Sequence, residues 1–164
     1  MTFIARVRWT AAALGAVALL VPATASSSAQ ETRPHKATCV AIPEDPLSPN
    51  VRTTGSCRAT HLGRETFEAR HNIVPTGPPD ASGVLPIAVL GGRATHVAAN
   101  GDELRSEYAG IGSVDLSSGR IVFALDGRYV GGSGRFQSAS GTTRITGVVE
   151  GGIAHFVEEG SITY

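Results

Sequence analysis

The sequence predicts an all-β fold, a sandwich or barrel of short antiparallel strands in a single domain. Three observations predict it. Apolar residues alternate with polar ones in short stretches, as half-buried strands require. Turn signals rich in glycine, asparagine and proline break the chain at close spacing. The 164 residues include 20 glycines but only five Phe and three Tyr, and after residue 29 no segment sustains helical periodicity.

Residues 1–29 read as a secretory signal peptide. Arg6 and Arg8 precede an apolar run, WTAAALGAVALLV, and Pro22 with Ala23, Ala25 and Ala29 supplies the small residues of a cleavage region, placing cleavage after Ala25 or Ala29. The run is about 13 residues long, short of the ~20 that span a bilayer, and none like it follows. The mature chain is therefore expected in the periplasm or the medium, with no integral membrane segment. No twin-arginine pair and no cysteine just after the cleavage region point to folded export or a lipid anchor. Cleavage removes the one Trp, Trp9, and two of the 14 basic residues but none of the 14 acidic ones, leaving a net charge of about −2. Without a basic stripe or a polybasic cluster, neither nucleic acid nor anionic lipid is expected as a partner.

Residues 30–51, QETRPHKATCVAIPEDPLSPNV, are polar and proline-rich and read as an irregular arm. Cys39 and Cys57, in a chain bound for an oxidising compartment, are expected to form a disulfide tying that arm to the first strand, at a gain on the order of 3 kcal/mol. The β domain then runs over residues 52–164. Within it VPTGPPDASG, from Val74 to Gly83, is a loop. Asn100-Gly101 between two alternating stretches predicts a hairpin with a type I′ turn. GRIVFALDGRYVGG alternates Ile121, Phe123, Leu125 and Tyr129 against polar neighbours, and two last strands flank Gly151-Gly152. Gly147 and Gly160 inside strands suit bends at which a sheet curls closed.

The turn GGSGRFQSASG, Gly131 to Gly141, follows one strand and leads into another, TTRITGVV. It resembles the GG-T-G-x-F-x-x-A-x-G turn of the allene oxide cyclase and dirigent superfamily, and ATHLGRETFE and AANGDELRSEYAG are similar to segments of secreted bacterial proteins with that domain. The resemblance covers roughly Thr53 to Tyr164. It implies a calycin-like, eight-stranded antiparallel closed barrel with a central cavity, in which family enzymes guide the cyclisation or radical coupling of a hydrophobic substrate. No catalytic residue transfers from it. The turn itself needs no ligand: its glycines permit positive φ, Phe136 plugs one barrel end and Ala139 packs without bulk.

Candidate site residues follow from period-two alternation. Arg-Ala-Thr-His occurs at 58–61 and again at 93–96. On strands, both copies would send the arginine and threonine outward and aim His61 and His96 into the barrel, each beside an alanine. In IAHFVEEGSITY the face of Ala154, Phe156 and Ile162 carries one carboxylate, Glu158. Tyr108, Phe123 and Phe156 are the candidates to line a cavity for a ligand. As hydrogen-bonded core groups the histidines need no further role; as acid–base groups, His61, His96 and Glu158 are the catalytic candidates, with Glu107 a further carboxylate.

Other chemistry lacks its residues. No Lys-Ser/Thr follows the glycine-rich turn to make a phosphate cradle, Gln137 stands where a dinucleotide fingerprint needs its third glycine, and Arg135 denies Ser133 a nucleophile elbow. The five histidines, at 35, 61, 71, 96 and 155, form no close-spaced ligand set, so no metal and no cofactor are expected. The expected function is that of a secreted barrel holding a small hydrophobic ligand, or contacting a partner, without catalysis. The alternative is a cyclase or isomerase acting on a hydrophobic substrate inside the barrel.

Overall fold

The computed structural model describes residues 30–164; the signal peptide assigned to 1–29 lies outside the described residues. Eight strands follow in order: β1 (Thr32–Glu44), β2 (Val51–Ala59), β3 (Gly63–Pro75), β4 (Val84–Ala98), β5 (Glu103–Asp115), β6 (Ile121–Gly132), β7 (Ser140–Glu150) and β8 (Ile153–Thr163). Each pairs antiparallel with the next, and β1 pairs with β8, so the sheet is a closed barrel without an edge. The all-β class, the closed eight-stranded barrel and the Cys39–Cys57 disulfide are as expected. The strands are longer than the expected short ones, from 9 residues in β2 to 15 in β4. No described helix is long and apolar enough to cross a membrane.

The irregular arm expected over residues 30–51 is corrected. Residues 32–44 are β1, paired with β8 on one side and β2 on the other. The physical reason is stagger. Pro34 pairs with Ser161 of β8 before pairing to β2 begins at Ala37, and Pro43 pairs with Thr53 of β2 after pairing to β8 has ended at Ala41. Each proline thus occupies a stretch with a ladder partner on one side only, where a missing N–H is tolerated. Between them His35, Ala37, Cys39 and Ala41 alternate inward. Only residues 45–50 form an irregular connection. Cys39 and Cys57 face each other in register, so the bridge joins two neighbouring strands rather than an arm and a strand.

The Asn100-Gly101 hairpin forms, but not with a type I′ turn. Gly101 N–H donates to Ala98 O at 2.9 Å, Ala98 N–H donates to Asp102 O at 2.9 Å, and only Gly101 has positive φ, at 86°. This is a three-residue connection ending in a glycine bulge. The type I′ geometry occurs instead between β7 and β8, where Gly151 and Gly152 have φ of 57° and 80° between the paired Glu150 and Ile153.

The core has two parts along the barrel axis. At the end where β1 begins and β8 finishes, Phe136 from the short 3-10 turn Gly134–Phe136 is fully buried with Leu62, Leu104, Tyr129 and Ile162 and closes that end. The other half packs Phe67, Ile87, Val114, Ile121 and Val149 around a cavity.

Candidate functional site

The cavity, about 90 Å³, lies in the half of the barrel bounded by Pro43 and Pro46. Its wall is mainly aliphatic and aromatic, as strands with β-branched and aromatic inward positions produce. Tyr108, Phe123 and Phe156 all border it, with Phe67 beside them. The Phe156 ring meets Phe67 at 5.8 Å and Phe123 at 6.2 Å, both edge to face.

Polar groups enter this wall from β3, β4, β5 and β8. His96 of β4 hydrogen-bonds through Nδ1 to Glu65 Oε1 at 3.0 Å, with side chains 5% and 2% exposed. Its ring stacks on Phe67 at 5.5 Å. Burial opposes charging of this imidazole, but the bond to Glu65 and the Glu158 and Glu65 carboxyls outweigh it and hold its pKa above the ordinary value. Glu158 of β8 is buried, borders the cavity and accepts no hydrogen bond from a described side chain. Burial raises its pKa, with Glu65 adding to the rise and His96 opposing it. Tyr108 OH and His71 Nδ1 lie 2.9 Å apart at the wall, and burial lowers the His71 pKa while raising that of Tyr108.

His61 is elsewhere, which corrects the expectation for the repeated tetrad. The second copy lies within β4, but β2 ends at Ala59 and His61 sits in the turn at residues 60–62. Turn backbone does not keep the two-residue alternation, so the same four letters aim their histidines differently. His61 Nε2 lies 2.7 Å from Pro34 O, and its ring stacks on His35 at 5.8 Å near the closed end. The structure therefore brings His96, Glu158, Tyr108, Phe123 and Phe156 together at the lumen and leaves His61 outside it. Glu107 is also elsewhere, facing outward and paired with Arg128 at 2.6 Å.

Sequence reasoning missed Glu65, His71 and His35. For Glu65 the signal was present: it shares parity with Phe67 and Ala69 in GRETFEA. His71 shares that parity too, although it lies at a register shift between Arg70 and Asn72. His35 was hidden by reading its strand as irregular. Among the described residues one metal-ligand type cluster approaches within 4.8 Å: Cys57, Glu65 and His96. The Cys57 sulfur is bonded to Cys39 and has no thiolate to offer, so the trio presents two ligands where a structural site needs four. Compared with family models, with curated proteins and with solved structures, the chain matches none.

Proposed function

We propose that this is an exported barrel whose lumen holds one small, largely apolar molecule. The observation that carries the reading is the cavity itself: an aromatic and aliphatic wall in a closed barrel, with few polar groups converging on it. The Cys39–Cys57 bridge supports export, because such bonds persist in oxidising compartments. The resemblance of the Gly131–Gly141 turn to the allene oxide cyclase and dirigent barrels supports a lumen with an occupant. Size limits that occupant. An apolar cavity of about 150 Å³ takes up benzene, so the present volume of about 90 Å³ suits a smaller molecule or a narrow group of a larger one.

The test is made on protein recovered from the periplasm or medium, whose amino terminus is expected at Ser26 or Gln30. Small apolar compounds are expected to bind it saturably at one site and to displace one another. A filled interior that takes up nothing ends the reading. Glu158 beside His96 offers a proton donor and acceptor to a bound substrate, which favours isomerisation as the second reading; it stands only if the released molecule is chemically changed.

A further inference from the structure

Three ionisable side chains from three strands are buried in the barrel, Glu65 of β3, His96 of β4 and Glu158 of β8, and the last two border the cavity. Two of them are bonded to each other, His96 Nδ1 lying 3.0 Å from Glu65 Oε1, while Glu65 Oε2 has no partner. Glu158 is left over. It is 4% exposed, and the buried polar and charged groups of the described residues include no arginine or lysine to pair with it.

The remaining groups around Glu158 are uncharged. Tyr108 of β5 and Tyr129 of β6 are held in the phenol form by burial, and His35 of β1 has a pKa lowered to about 4 by burial and by the charges of His61 and His96. The directly opposite residues are Ala37 of β1 and Ile145 of β7, Thr143 of β7 does not titrate, and Cys57 of β2 is in the disulfide. His96, its one cationic neighbour, is bonded to Glu65 and only partly offsets the burial of Glu158, whose carboxyl is therefore pushed towards the protonated form. A protonated carboxyl has an O–H to donate, and the cavity wall around it is mainly aliphatic and aromatic.

We propose that the occupant of the lumen is a small neutral molecule, apolar apart from one carbonyl oxygen that accepts a hydrogen bond from the Glu158 carboxyl. The inference rests on the ligand-binding reading above. A carbonyl is satisfied by the single donor that Glu158 supplies, whereas an alcohol brings an O–H that must also be placed on an acceptor. It fits better than an amine because His96 already places positive charge near Glu158.

Three probes of matched shape test it: butanone, sec-butylamine and 2-methylbutane, their binding to the purified protein followed by NMR at pH 6. Butanone is expected to bind about tenfold more tightly than either of the others, a difference of about 1.4 kcal/mol. Glu158→Gln keeps a donor and is expected to keep butanone binding within about threefold. Glu158→Leu is expected to lose about tenfold. Raising the pH through the ionisation of Glu158 is expected to weaken butanone binding to the wild type but not to the Gln variant, which separates a hydrogen-bonding role from mere packing. Tighter binding of sec-butylamine, rising with pH and lost in Glu158→Gln, overturns the proposal in favour of a cationic ligand. Equal binding of 2-methylbutane and butanone overturns it while leaving the lumen reading intact. Failure of all three probes to bind the wild type removes both. Should the Leu variant not fold, the Gln variant and the pH dependence still decide.

Discussion

His35 makes the fold sensitive to acid. Burial, and then the nearby charges of His61 and His96, lower its pKa from 6.5 to about 4, and its Nδ1 has no hydrogen-bond partner. The unfolded chain therefore takes up a proton near pH 6.5 while the folded chain resists until about pH 4. Stability is full above the upper value and falls as pH drops through this window, by on the order of 3 kcal/mol at most. His71, also lowered by burial, acts in the same direction. His96 acts oppositely: its raised pKa gives stability that is present below pH 6.5 and lost as pH rises through the folded value. Glu158, raised by burial, acts as His96 does, so His35 is read by difference: in urea unfolding at pH 7 and pH 4.5 the His35→Leu variant is expected to fare better on acidification than the wild type, and an unchanged pH profile in that variant would remove the assignment. At this scale the sequence showed Glu158 as an acid on an apolar face. It did not show that Glu65 stands across from it, because that depends on how β3, β4 and β8 wrap together.

Strand packing turns on where backbones approach each other. At Gly132, in the β5–β6 ladder, an added Cβ would lie 1.8 Å from the Glu103 carbonyl oxygen, whereas at Gly63 it would meet nothing within 4 Å. Gly132→Ala must push two hydrogen-bonded strands apart and is expected to cost about 3 kcal/mol or more. Gly63→Ala carries only the cost of a left-handed backbone at φ 70°, about 1 kcal/mol. Denaturation midpoints of the two variants check this, and similar losses at both sites would contradict the packing argument. The glycines at both positions look alike in the sequence. So do the prolines, which made β1 read as irregular; their harmlessness comes from the stagger that leaves each with a single ladder partner. The Asn100-Gly101 hairpin was legible as a turn, yet its type was set by the pairing of Ala98 with Asp102.

Closure is a property of the whole molecule. β1 occupies the seam between β2 and β8, so a chain lacking residues 30–44 would expose two unpaired strand edges at once. Such a chain is expected to associate or precipitate where the intact protein stays monodisperse on size exclusion; a stable monomer with an unchanged melting transition would show that β1 is dispensable. Alternation, turn residues and the two cysteines were enough in the sequence to establish the all-β class, most strand positions and the Cys39–Cys57 bridge, because each is specified by residues close together or by simple pairing. Only the tertiary structure decided that β1 completes the barrel, that His61 stays at the closed end, and that Glu65, His96 and Glu158 share one lumen. Those outcomes depend on register and stagger between strands distant in the chain. Local sequence pattern fixes which face a side chain takes, but not which side chains from other strands it will meet there.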